Sequence, residues 1–298
     1  MRLSRTLQAI IATIAVSIGS FGVMTALAHP VPEHPFFAPL TQLSRPAVIA
    51  HRGGAAIWPE NTLYALQQAA GIGVDIIEMD VRRTADGVLV LMHDSSVERT
   101  TNGIGTVGQL TLAELQRLDA AYHWSDDGGK TYRYRDQGIT VPTITEVFSA
   151  LTEVRMNIEM KTAQPALATT LCALIHKHDT NERLLVTAFS QVFLQQFRTV
   201  CPGVATSASE EELMAFFALN LAFLGPIYSP EFNSLQVPEQ RNGIRVLTPG
   251  FVRAAHDRGL EVHVWKIDDE SDVQRMRKLG VDGIITDYPD RILAAFGR

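Results

Sequence analysis

The sequence predicts an α/β fold closed as a (β/α)8 TIM barrel, on three observations. Eight short β-type apolar runs recur along the chain, at 47–51, 75–81, 156–161, 184–189, 204–208, 234–238, 261–267 and 283–289. Amphipathic helical stretches at 60–70, 165–178, 192–199, 251–258 and 271–279 separate most of them, the alternation of a parallel sheet with helices outside it. Residues 29–298 also have the length of one such barrel, about 250 residues. An open doubly wound sheet offers the same strand count and is the alternative.

Taken in order, the chain opens with Arg2 and Arg5, an uncharged run over 6–28, and Ala26-Leu27-Ala28. A basic start, an apolar stretch and a small-x-small end describe a signal peptide over residues 1–28, hence a periplasmic or secreted protein. Left uncleaved, a run of about 20 residues would anchor the chain in a membrane, which is the alternative localisation. Without the leader the net charge moves from −6 to −8, since two arginines and no acid leave. That balance argues against a nucleic-acid binder, whose domain is usually basic. Residues 29–45 form a Pro-rich lead-in to a single domain over 46–298. With 46% hydrophobic and 19% charged residues the chain is not disordered, and with 2 cysteines it is not a disulfide-built mini-protein. Cys172, in a predicted helix, and Cys201, after the next one, pair if the compartment is oxidising; otherwise they are two buried thiols.

Two segments break the alternation. The run at 88–93 follows 75–81 through Thr84-Ala85-Asp86-Gly87 and reads as a hairpin spanning Asp75 to His93. A two-residue Asp86-Gly87 turn would place Asp80 opposite His93, and a slip of one residue would send His93 to the other face. The polar stretch of about 94–140, with a small helix near 112–118, is too long for an ordinary connection. It reads as an insertion over one end of the barrel, where substrate selection is expected.

Active sites of such barrels lie at the C-terminal strand ends. There the sequence places His51 and Arg52, Glu78 and Asp80, Glu159 and Lys161, and Trp265 with Lys266. Glu78 and Asp80, two apart in a strand, share a face. With Glu159 they make a three-carboxylate oxygen site suited to one hard divalent ion, Ca²⁺ or Mg²⁺, as against surface carboxylates in structural ion pairs. Two histidines can serve as acid and base, and Arg52 and Lys161 can neutralise an anionic phosphate. By composition this is a phosphoester-cleaving site.

These residues resemble the glycerophosphodiester phosphodiesterase family. The match runs through His51-Arg52-Gly53-Gly54, Pro59-Glu60-Asn61-Thr62, Glu78-Met79-Asp80 and Met92-His93-Asp94. It continues through Arg99 to Gly103, Val141-Pro142-Thr143, Ile158-Glu159-Met160-Lys161, Val264-Trp265 and Asp282 to Pro289. It covers about residues 47–295. The resemblance implies metal-dependent hydrolysis of glycerophosphodiesters, such as glycerophosphocholine and glycerophosphoethanolamine, to an alcohol and sn-glycerol 3-phosphate. It implies a family-type insertion after the hairpin. It implies Glu78, Asp80 and Glu159 as metal ligands, His51 and His93 as the catalytic acid/base pair, and Arg52, Lys161 and Trp265 as substrate-binding residues. The expected partner is a small-molecule substrate; nucleic acid is not expected, and membrane contact follows only from an uncleaved leader. The chain departs from the family pattern at Lys266-Ile267-Asp268, at Ala188-Phe189 and in the apolar stretch 214–228. These departures concern the pocket for the alcohol, not the carboxylates. The apolar stretch reads as a core helix, with a lipid-facing lip as the sharper alternative. Competing functions are a lysophospholipase D or phospholipase D-like activity on lipids, a non-catalytic exported protein that binds phosphorylated metabolites, and a metal-dependent sugar isomerase.

Overall fold

The computed structural model describes residues 5–162 and 165–298. An N-terminal helix α1 (Arg5–Leu27) precedes the barrel; Arg2, part of the expected signal peptide, lies outside the described residues. Among the described residues no helix is long and apolar enough to cross a membrane.

The first half of the barrel holds β1 (Ala47–Ala50), α2 (Leu63–Gly71), the hairpin β2 (Ile76–Arg83) and β3 (Leu89–Leu91), α3 (Leu112–Leu115), α4 (Ile144–Ala150), β4 (Arg155–Met160) and α5 (Pro165–Lys177). The second half holds β5 (Leu184–Thr187), α6 (Gln191–Val200), β6 (Ala205–Thr206), α7 (Glu210–Leu221), β7 (Ser234–Pro238), β8 (Gln240–Arg241), β9 (Ile244–Arg245), α8 (Pro249–His256), β10 (Glu261–Trp265), α9 (Glu270–Leu279), β11 (Gly283–Thr286) and α10 (Pro289–Ala295). Eight parallel strands run in the order β6-β5-β4-β2-β1-β11-β10-β7. A parallel bridge between Ser207 and Ser234, with the Ala208 amide donating to the Ser234 carbonyl at 2.8 Å, joins β6 to β7. The ring is thereby all but closed, and the open sheet is excluded. All eight predicted runs supply barrel strands.

Alternation along the strands sorts the side chains. Val48, Ile77, Met79, Ile158, Val186, Val262 and Ile284 point outward into the main core beneath the helices. Ile49, Ile76, Leu185, Ala205 and Ile285 point inward, where they meet Phe36 and Phe37 of the lead-in. The Pro-rich segment therefore does more than lead into the barrel. It closes the barrel floor, with Phe36 fully buried, the Arg155 Nε–H donating to the Phe36 carbonyl at 2.8 Å, and the Val31 amide donating to the Arg258 carbonyl at 2.9 Å.

Local chemistry sets the helix starts. The periodicity predicts a helix from residue 60, but α2 starts at Leu63, because Asn61 holds a left-handed φ of 55° and Thr62 caps, its side chain accepting from the Ala65 amide. Thr111, Thr143 and Ser209 form capping boxes with Glu114, Glu146 and Glu212 at the starts of α3, α4 and α7. Residues between β3 and α4 form a small cluster of their own around Val97, Val107 and Leu115, packed on Val90 and Met92. Cys172 and Cys201 pair in a disulfide between α5 and the end of α6.

Two further expectations are corrected. The hairpin pairs Val81 with Leu91 and Arg83 with Leu89, one residue away from the register expected from a two-residue turn, so Asp80 lies opposite Met92 rather than His93. The loop is three residues, Ala85-Asp86-Gly87, because the Thr84 hydroxyl donates to Asp86 Oδ1 at 2.5 Å and accepts from the Val88 amide at 2.9 Å, while Gly87 takes φ 90°. The apolar stretch 214–228 is not a core helix. It continues α7, of which only Phe216 is fully covered, and leaves Leu221 at 65% and Phe223 at 87% exposed. A segment apolar on every face carries no pattern that selects a buried side.

Candidate active site

The C-terminal strand ends open into a cavity of about 640 Å³. Its lining includes His51, Arg52, Glu78, His93, Glu159, Lys161 and Trp265. Asp80 lies just beneath, 1% exposed. All eight sequence-predicted site residues are therefore brought together, with Trp265 at the rim and 39% exposed.

Glu78 and Asp80 project inward from β2, and Glu159 stands beside Asp80 in register on β4. Carboxylate oxygens of the three lie within 4.8 Å of one another. Such crowding is expensive. Burial first, and then the Asp80 charge, push Glu78 up to about 8. Burial also pushes Glu159 up, against the pull of Lys161. Burial acts on Asp80 in the same sense, but Lys161, Arg52 and Asn61 overcome it and hold Asp80 below its ordinary value. Three oxygen donors converging at this cost fit a hard divalent cation, whose charge would relieve the repulsion.

The chain around the carboxylates is shaped to serve them. Beyond β1 the backbone turns through His51–Gly53 with Arg52 at φ 51°. That left-handed turn aims the Arg52 amide at Glu78 Oε2, to which it donates at 2.7 Å. Gly53 is required there, because a Cβ would lie 2.9 Å from Leu66 and 3.1 Å from Ala65, at a φ of 81°. Asn61 clamps Asp80 twice, its Nδ2 donating to Oδ2 at 2.8 Å and its Oδ1 accepting from the Asp80 amide at 3.0 Å. Lys161 Nζ sits 2.5 Å from Glu159 Oε1 and 3.0 Å from Asp80 Oδ1. The Arg52 Nε lies 3.1 Å from Asp80 Oδ2, and its Nη1 donates to Glu60 at 2.8 Å.

Each histidine is backed by a carboxylate. His51 Nδ1–H donates to Asp287 Oδ1 at 2.5 Å, and Lys266 pairs with the other Asp287 oxygen. Burial pulls the His51 imidazole down, but the charges of Glu78 and Asp287 carry it above its ordinary value. His93 Nδ1–H donates to Asp94 Oδ1 at 2.6 Å, and Arg99 links Asp94 to Glu60. Both rings are thus held with Nε2 free for substrate. His93 reaches the cavity although the expected register failed, because it lies beyond the end of β3, where strand alternation no longer decides direction.

Sequence reasoning missed Asp287, Asp94, Asn61 and Glu60 as partners of the site, although all four lie in the motifs that carried the resemblance. Their signal was adjacency: Asp94 follows His93, and Asp287 follows the last strand as His51 follows the first. Gln236 of β7, which also lines the cavity, had no such signal.

An eight-stranded barrel presenting two carboxylate-backed imidazoles and a triple carboxylate to one cavity has close relatives. Residues 51–291 match the Glycerophosphoryl diester phosphodiesterase family. A glycerophosphodiester phosphodiesterase of Caldanaerobacter subterraneus subsp. tengcongensis is 32% identical over 256 residues, covering 83% of this chain and 96% of the relative. The glycerophosphodiester phosphodiesterase of Agrobacterium tumefaciens has a crystal structure 26% identical with a TM-score of 0.67, covering 84% of this chain and 99% of that one. A phosphodiesterase of Oleispira antarctica, solved in complex with the product sn-glycerol-3-phosphate, is 27% identical with a TM-score of 0.67, covering 85% of this chain and 98% of that one. The chain belongs to the glycerophosphoryl diester phosphodiesterase family of phosphoric diester hydrolases.

Proposed function

We propose that the protein is an exported, divalent-metal-dependent hydrolase that cleaves glycerophosphodiesters such as glycerophosphocholine and glycerophosphoethanolamine to the alcohol and sn-glycerol 3-phosphate. One observation carries the reading: three carboxylates within 4.8 Å of one another, beneath a cavity that two histidines line. Glu78, Asp80 and Glu159 would hold one Ca²⁺ or Mg²⁺ ion. When bound, such an ion supplies positive charge against the diester and against the charge that develops at phosphorus.

The protein's own residues do the rest. Arg52 and Lys161 add fixed positive charge beside the phosphoryl oxygens. His51, steadied through Nδ1 by Asp287, takes the proton from the attacking oxygen at Nε2. That oxygen comes from water, or from the substrate's adjacent hydroxyl with water opening the cyclic phosphate afterwards. His93 gives its proton to the alcohol oxygen as the phosphorus–oxygen bond to the alcohol breaks. One proton enters at His51 and one leaves at His93, and exchange with solvent restores both. Trp265 forms part of the wall for the departing alcohol. Export is supported by the leader pattern over residues 1–28 and by the Cys172–Cys201 disulfide, a bond of oxidising compartments.

The test is release of glycerol 3-phosphate from glycerophosphocholine by the purified protein before chelation, after it, and after return of Ca²⁺ or Mg²⁺. Activity is expected to vanish on chelation and to return with the ion. Full activity after exhaustive chelation overturns the metal assignment. Lysophosphatidylcholine is assayed in parallel, because the exposed Phe189 at the cavity rim could also receive an acyl chain; faster cleavage of the lipid would reverse the substrate order.

A further inference from the structure

The cavity has two unlike halves. One, from β1, β2 and β4, carries the carboxylates, His51, Arg52 and Lys161. The other is built by the ends of β5, β6 and β7 and by the β8–β9 hairpin, and includes Phe189, Leu213, Gln236 and Pro238. In the eight-strand ring β7 stands directly opposite β2. If the glycerol phosphate end of the substrate occupies the carboxylate side, as the proposed function requires, this second half receives the alcohol.

Its charge is already spent. Glu210 and Arg241, the charged side chains that line it, pair with each other. Lys161 Nζ lies 5.8 Å from the centre of the Phe189 ring, so that ring has a cation beside it and is a poor seat for a second one. Among its polar groups, Thr187 is already partnered, its hydroxyl accepting from the Ser207 hydroxyl behind it at 2.7 Å. Gln236 differs: the residue lines the cavity, and its Nε2 is buried with no hydrogen-bond partner among the described residues. Asn157, Ser234 and His263 also carry unpartnered buried atoms, but they are not among the residues that line the cavity. A buried amide donor left unpaired is costly, and a ligand oxygen would remove that cost.

We propose that Gln236 reads the leaving alcohol, donating from Nε2 to a hydroxyl oxygen, and that this protein prefers glycerophosphodiesters with uncharged, hydroxylated head groups over those with a quaternary ammonium. The experiment compares kcat/KM for glycerophosphoglycerol and glycerophosphocholine in the wild type, Gln236→Met and Gln236→Leu, with the same added ion, alongside thermal melts. Wild type favours glycerophosphoglycerol. Each variant lowers kcat/KM for that diester about 3- to 10-fold, mainly through KM, and leaves glycerophosphocholine within about 2-fold. Neither variant lowers Tm, since the amide nitrogen has no partner to lose among the described residues, which separates recognition from a structural role. A wild type indifferent to the head group, a fall shared equally by both diesters, an unchanged ratio, or variants that lose Tm overturns the assignment. Wild type that cleaves neither diester overturns the proposed reaction and this assignment with it.

Discussion

Asp287 is where one side chain controls another. Its carboxylate is divided between the His51 imidazole and the Lys266 ammonium, and the Asp268 carboxylate fixes it by accepting from its backbone amide at 2.8 Å. His51 is poised between burial, which lowers its pKa, and the charges of Glu78 and Asp287, which raise it. Asp287→Asn removes one of the raising charges and leaves burial in place, so the His51 pKa falls. If His51 is the base, the acidic limb of kcat/KM moves to lower pH, and the rate drops about 10- to 100-fold as the ring loses its orientation. His51→Ala and His93→Ala should each cost about 10²-fold or more in folded protein. A pH–rate profile checks both, and an acidic limb unmoved in Asp287→Asn separates His51 from that limb. The two histidines were legible in the sequence because strand ends of a barrel converge. The partners that hold them were less so, since Asp287 meets His51 across 236 positions of chain and only the folded ring makes them neighbours.

At the scale of elements, the floor strands carry a charge that the fold tolerates poorly. Glu261 opens β10, and Asp282 immediately precedes β11. The Asp282 Oδ2 accepts from the Val262 amide at 2.7 Å and from His256 Nε2–H at 2.9 Å. Burial first, and the Asp282 charge second, push Glu261 up to about 8. Its folded pKa lies above its unfolded one, so the folded state binds the extra proton, and stability falls as pH rises from about 4.5 through about 8. Glu261→Gln removes the penalty. Its Tm should match wild type near pH 4.5 and exceed it at pH 8, by differential scanning calorimetry. An equal change at both pH values, or a lower Tm at pH 8, refutes the assignment. Elements themselves were read well where periodicity was strong, as in the eight strands. Register was not, because Asp86-Gly87 suits both two- and three-residue loops, and the Thr84 hydroxyl that decides between them acts through two bonds no pattern displays. The start of α2 was misplaced for a similar reason: Glu60 and Asn61 fit a helical rhythm, but Asn61 is turned aside to clamp Asp80.

For the whole molecule, the deciding feature is how the barrel is sealed at the end away from the site. Prolines at 30, 32, 35 and 39 keep the lead-in out of helix and sheet, so it can fold across the strand starts. Phe36 and Phe37 then enter the barrel from below, edge to face with ring centres 4.8 Å apart, and contribute to the same inner cluster as Ile49, Ile76 and Ile285. That cluster is the support on which the carboxylate layer of β2 and β4 stands. Composition could not show this, because a Pro-rich segment ahead of the first strand reads as a linker. If the lead-in is a structural floor, Phe36→Ala should cost about 3 to 5 kcal/mol, the usual consequence of emptying a buried aromatic site. The loss should appear as a lower urea midpoint in protein whose kcat, measured well below that midpoint, is near wild type. Truncation to residue 46 should destabilise further, by removing both rings and exposing the inner cluster to water. A Phe36→Ala protein with an unchanged midpoint would mean that the strands seal the barrel alone, and that residues 29–45 are only a spacer before the barrel.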